Sequence, residues 1–157
     1  MIVLGIDPGY ERLGIAIVSR EGGEKETLLF SDCFKTSPKT PHNERLLDLG
    51  KNLEEVIEKY KPEVLAIETL FFNSNQKTAM FVSEARGVIL YVATKNGLDF
   101  FEYGPGQIKV AVTGYGRGDK NSVIKMIPLL IKIDKKIKHD DEYDAIAVAL
   151  THFASAR

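Results

Sequence analysis

The sequence predicts an α/β fold, a mixed five-stranded sheet flanked by helices, in a single domain over residues 1–157. Two observations predict the architecture. The first 35 residues read as three consecutive strands joined by short turns, and beyond them short apolar runs alternate with segments of helical periodicity. Strands in series followed by strand–helix alternation give a sheet of mixed direction covered by helices. A third observation predicts the single domain: no internal repeat, low-complexity tract or linker interrupts the chain.

The elements follow in order. Ile2 to Asp7 is an apolar run closed by Pro8-Gly9, a buried strand ending in a turn. Leu13 to Ser19 and Thr27 to Lys35 flank Gly22-Gly23, as two further antiparallel strands would. Thr40 is a candidate helix cap with Pro41 at the first helical position. Leu46, Leu49, Leu53, Val56, Ile57 and Tyr60 then recur at helical spacing until Pro62. Val64 to Glu68 is a central strand, and 76–96 a long helix stopped by Asn96-Gly97. Its Ala79-Met80-Phe81-Val82 is too apolar for one stripe, which suits a partner or burial on two sides. Asp99 to Tyr103 is a strand and Ile108 to Thr113 a short helix. The glycine-rich 114–118 leads to a helix from Asp119 that Pro128 compromises. The last helix starts near Asp140, read as its N-cap, and carries Ala145 to His152.

Composition excludes several classes. The chain is 44% hydrophobic and 27% charged, ordinary for a globular protein, and no run is long and apolar enough for a membrane helix. The first residues lack a basic segment and a cleavage site, so no signal peptide is expected. The one cysteine, Cys33, excludes an internal disulfide and suits a reducing cytoplasm. It reads as a small strand residue. Net charge is −1, yet residues 105–139 hold eight Lys/Arg against two acids, while the remainder holds 13 against 20. Such asymmetry suits either a surface that touches phosphates or a solvated lysine-rich face.

Asp7 and Glu68 each close an apolar strand, where α/β sheets place their ligands. Asp141 and Asp144 lie three apart on one helix face. Each could serve a turn or a helix dipole alone; together they suggest a cluster. Converging carboxylates repel, and a hard divalent cation relieves that repulsion, with oxygen ligands favouring Mg²⁺ or Mn²⁺ over zinc. Two such ions suit in-line phosphodiester hydrolysis.

Gly5-Ile6-Asp7-Pro8-Gly9, Ala66-Ile67-Glu68-Thr69-Leu70-Phe71, Glu84-Ala85-Arg86-Gly87, Phe101-Glu102-Tyr103 and Asp141-Glu142-Tyr143-Asp144-Ala145 resemble successive blocks of the RuvC family of Holliday junction resolvases. The resemblance runs in order from Met1 to about Phe153. It implies a ribonuclease H-like fold, a homodimer, and paired symmetric nicks at four-way junction DNA that leave 5′-phosphate and 3′-hydroxyl ends. Asp7, Glu68, Asp141 and Asp144 match the family's metal ligands for two Mg²⁺ ions, with Mn²⁺ able to substitute. Asp140 competes with Asp141, and is otherwise the helix cap. Lys109 and Lys120 match basic positions near the scissile phosphate, and the basic Arg117 is expected to contact DNA with them. Phe71 matches a base-contacting aromatic, with Phe72 beside it. A RuvA–RuvB branch-migration complex is the implied partner.

Arg86 has two readings, phosphate or carboxylate partner. His42 reads as a surface residue at a helix start, His139 as loop, and His152 as helix surface or a residue behind the metal ligands. Three rival functions stand beside the resolvase. They are a nuclease for another branched or hybrid nucleic acid, a non-catalytic junction-binding module, and a sugar-kinase or actin-like ATPase, which needs two such domains.

Overall fold

The computed structural model describes residues 1–9, 11–70 and 75–156. Five strands form one sheet in the order β3-β2-β1-β4-β5, from β1 (Ile2–Asp7), β2 (Arg12–Ser19), β3 (Thr27–Lys35), β4 (Val64–Glu68) and β5 (Asp99–Tyr103). The first three are antiparallel neighbours; β4 runs parallel to β1, and β5 parallel to β4. This is the mixed five-stranded sheet that the sequence predicts.

Among the described residues five helices cover it: α1 (His42–Tyr60), α2 (Gln76–Lys95), α3 (Pro105–Thr113), α4 (Lys120–Leu130) and α5 (Asp140–Ser155). Strand alternation sorts the core into two layers. Leu4, Ile6, Ile15, Ile17, Leu65 and Ile67 pack under α1 and α2. Val3, Ala16, Val18, Val64 and Ala66 face the other way, toward α3, α4 and α5. Asp7 continues the Val3-Gly5 alternation and Glu68 the Val64-Ala66 alternation. Both carboxylates therefore leave the sheet on its α5 side.

Helix α5 can approach that face because the residues beneath it are small. A Cβ on Gly5 would stand 2.3 Å from the Ala145 carbonyl oxygen, and one on Gly14 would stand 2.0 Å from that of Asp141. Gly14 pairs with Asp7 across β1 and β2. The glycine thus brings the start of α5 directly beside the end of β1.

Several boundaries differ from the sequence reading. Thr40 does not cap α1: its N–H closes a turn onto the Ser37 carbonyl, and the helix starts at His42 with Pro41 at the cap position. Helix α3 starts at Pro105, where the Gln107 side chain accepts from the Gly104 N–H. Pro128 lies inside α4, which ends two residues later. Nor is Asp140 the cap of α5; it is the first helical residue, with His139 at the cap position. The free N–H groups of Lys138 and His139 donate instead to Glu142 Oε1.

Candidate active site

The site is built where β1, β4 and α5 meet. Asp7 ends β1, Glu68 ends the parallel strand β4, and the first two turns of α5 lie across both. The Asp7 carboxyl is pushed up to about 8, first by burial and then by the negative charges of Asp144, Glu68 and Asp141. Glu68 is also raised, by burial and by Asp144, against a smaller opposing hydrogen bond with Asp7. Asp144 is raised by burial, with Lys120 partly opposing it. These shifts share one cause: negative charge has been gathered in a place where water screens it poorly.

Lys109 acts on Glu68, and two further cations pair directly with the aspartates of α5. Lys120 Nζ lies 2.9 Å from Asp144 and 3.8 Å from Asp140. Arg12 Nη2 lies 2.7 Å from Asp141 Oδ2. Among the described residues, no three His, Cys, Asp or Glu side chains are close enough to hold an ion as they stand. Asp141 is turned to Arg12, and Asp144 to Lys120. The donor set is nonetheless all carboxylate and under-neutralised, so these residues fit a hard divalent cation once the two aspartates swing from their cationic partners.

The competition between Asp140 and Asp141 has a geometric side. Asp140 is 66% exposed, whereas Asp141 and Asp144 are 23% and 25% exposed. Asp141, not Asp140, is among the charges that raise Asp7.

Beside the carboxylates opens a cleft of about 260 Å³, lined by Glu68, Lys109, Lys120 and Asp144, with Pro105, Ile108, Val123 and Ala147 as its apolar wall. The structure therefore brings Lys109 and Lys120 to the acidic cluster. Arg117 is exposed in the turn before α4 and does not line this cleft. Phe71 and Phe72 lie outside the described residues.

The remaining candidates resolve as follows. Arg86 pairs with the Glu102 carboxylate and lies over the Phe100 ring. His152 is not a surface residue: it is 3% exposed, and its Nδ1 is 2.9 Å from the Tyr103 hydroxyl. His42 pairs with Glu84, and its ring lies 4.2 Å from that of Phe81, tilted by 37°. Of the apolar run in α2, Val82 is buried and Met80 is exposed. Cys33 is buried on β3, with its Sγ 3.7 Å from Asp141 Oδ2.

Two features escaped the sequence reading. Glu142 is buried and accepts hydrogen bonds from Ser31 Oγ at 2.6 Å and Lys135 Nζ at 2.8 Å, besides the two amides. Burial opposes its charge, but the hydrogen bonds from Lys135 and Ser31 hold it at about 2. It ties α5 to β3 and to the 131–139 segment. Arg12 is the other, set at the start of β2 by its register opposite Lys35. A glutamate beside two aspartates was the only signal for the first, and nothing in the sequence singled out the second.

Comparison with known proteins identifies the family. The family model described as "Crossover junction endodeoxyribonuclease RuvC" matches residues 3–152. A protein of that name from Alkaliphilus metalliredigens is 45% identical over 152 residues, covering 97% of this chain and 92% of the relative. Another from Ruminiclostridium cellulolyticum is 42% identical over 157 residues, covering 100% and 94%. The structure of Thermus thermophilus RuvC in complex with Holliday junction substrate superposes with a TM-score of 0.93 at 36% identity, covering 100% of this chain and 95% of that one. The yeast mitochondrial resolvase Ydc2, at 14% identity and a TM-score of 0.72 over 97% of this chain and 77% of that one, shares the fold. The chain belongs to the RuvC family of crossover junction endodeoxyribonucleases.

Proposed function

We propose that this protein is a structure-selective, metal-dependent endonuclease that resolves four-way DNA junctions by paired symmetric nicks. One observation carries the proposal: Asp7, Glu68, Asp141 and Asp144 converge from two parallel strand ends and one helix, next to a cleft that presents Lys109 and Lys120. The four carboxylates would hold two Mg²⁺ ions, with Mn²⁺ able to substitute. Bound there, the metal would supply charge stabilisation and an activated water for phosphodiester hydrolysis.

The chain's own groups do the rest. Lys109 and Lys120 place positive charge along the cleft, where a DNA phosphate lies and where charge builds as the P–O bond breaks. Lys120 also orients Asp144 through their 2.9 Å contact. Asp141, rather than Asp140, is the fourth ligand, because it is the half-buried one that acts on Asp7. Phe71 and Phe72 are proposed to stack on bases at the junction centre, and Arg117 to reach phosphate from its exposed turn. The working unit is a homodimer in the cytoplasm, because paired nicks need two sites on one junction, and it serves recombination and repair beside a RuvA–RuvB complex.

The test is cleavage of labelled synthetic four-way junctions beside linear duplex and RNA–DNA hybrid, with and without Mg²⁺. Symmetric Mg²⁺-dependent incision confined to the junction is expected, with Asp7→Asn binding the junction but not cutting it. Equal cutting of linear duplex or hybrid would move the assignment to another nuclease. Binding without incision would leave a junction-binding module.

A further inference from the structure

Arg12 stands where a metal-site carboxylate ought to be free. Its Nη2 is 2.7 Å from Asp141 Oδ2, and the same nitrogen lies 3.3 Å from His139 Nδ1. The carboxylate it holds is otherwise poorly provided for: among the described residues its other hydrogen-bond partner is the Cys33 thiol, at 3.7 Å. Across the site, Lys120 serves Asp144 and Asp140, at 2.9 and 3.8 Å. The two helical aspartates thus have separate cations, from opposite sides. Lys120 comes from a helix and lines the cleft; Arg12 comes from the strand next to Asp7 and does not.

We infer that Arg12 is a displaceable counter-ion, holding Asp141 while the site is empty and yielding it to the incoming divalent cation. The inference rests on the metal-site reading above and deepens it, since it assigns a role to a residue outside the four ligands. Asp141 cannot serve both partners fully: a guanidinium bonded to Oδ2 occupies lone pairs that a cation needs, and two positive charges at that distance repel. Arg12 is 48% exposed, so it can swing into solvent without leaving a buried charge behind. His139 Nδ1 already marks a second acceptor within its reach. Metal affinity at the Asp141 side is therefore set below what the carboxylates alone would give. The empty site, in turn, is spared part of the repulsion among its acids.

The test measures Mn²⁺ binding to the DNA-free protein by the loss of the free-ion electron paramagnetic resonance signal, so that no cleavage is needed. Arg12→Met, which keeps length and removes charge, is expected to bind the Asp141-side ion about five- to tenfold more tightly. The effect must run through one carboxylate, so a double-mutant cycle decides it. In an Asp141→Asn background, Arg12→Met should change Mn²⁺ affinity less than about twofold. An equal gain in both backgrounds would make Arg12 a contributor to the general field and overturn the inference, as would unchanged affinity in the single variant. Failure of the underlying reading looks different: wild-type protein would bind no Mn²⁺ that Asp7→Asn abolishes. Circular dichroism of each variant confirms that it is folded, and Arg12→Lys, which keeps a charge but loses the guanidinium fork, should fall between wild type and Arg12→Met.

Discussion

Asp7, proposed above as a metal ligand, sits buried among other negative charges at the expense of stability, and removing its charge should make the metal-free protein more robust. Its carboxyl is held at about 8 against an ordinary 3.8. The folded state therefore takes up a proton that the unfolded chain releases, and stability falls as pH rises from about 4 toward 8. At pH 7.5 that shift corresponds to a ceiling of about 5 kcal/mol, and at pH 5 to under about 2 kcal/mol. Part of the proton affinity passes to Glu68, whose own carboxyl is raised and hydrogen-bonded to Asp7. A realised gain of about 2 kcal/mol is then expected for Asp7→Asn, or roughly 4–8 °C in Tm for a chain of this size. The assay is thermal unfolding in EDTA at pH 7.5 and pH 5. Asp7→Asn should melt above wild type at pH 7.5, with the gap narrowing at pH 5. Added Mg²⁺ should raise wild type and not the variant. A variant that melts at or below wild type at pH 7.5, or a gap that ignores pH, would refute the account of crowded charge.

Three other perturbations probe different links. Glu142→Gln removes the acceptor that Ser31, Lys135 and two amides share. It should cost about 2–4 kcal/mol in urea unfolding at pH 7. Because folding holds Glu142 near 2, its contribution is full above about 4.5 and lost as pH falls through 2, so the variant's deficit should shrink in acid. Gly5→Ala meets the Ala145 carbonyl oxygen at 2.3 Å. It should destabilise by more than about 2 kcal/mol and weaken Mn²⁺ binding as α5 is pushed off the sheet, whereas Gly23→Ala, in open space, should do neither. Lys120→Met should slow junction cleavage in single turnover by about 10²-fold. Junction affinity in filter binding should change by less than about fivefold, and a loss confined to binding would exclude Lys120 from the chemical step.

The strands and the places of Asp7 and Glu68 at strand ends were legible because they depend on local patterning, whereas the order β3-β2-β1-β4-β5 depends on long-range pairing. An apolar run closed by an acid announces a strand end; which face the acid leaves by is set by the packing of α5. Helix termini were less legible. Thr40 looked like a cap because its side chain suits one, but a turn from Ser37 claims its backbone first. Asp140 looked like a cap for the same reason, and lost the role to Glu142, whose carboxylate reaches the amides from inside the helix. Glu142 and Arg12 were opaque because their partners are distant in sequence: Ser31 is 111 residues from Glu142, and Asp141 lies at the far end of the chain from Arg12. A buried His152 was equally hidden, since its partner Tyr103 ends strand β5, 49 residues away.

The seating of α5 on Gly5 and Gly14 has a consequence for the order in which the molecule comes into being. Asp7 and Glu68 emerge from the ribosome early, together with β1 and β4, but half of the acidic set arrives only with Asp141 and Asp144. Those two reach the strand ends by docking a helix that also supplies Ala145, Ile146, Ala149 and Phe153 to the core. A nascent chain that has made its sheet but not docked α5 consequently holds neither a finished core nor the proposed acidic set. Assembly of the proposed cutting centre is thereby coupled to the docking step that also completes the core.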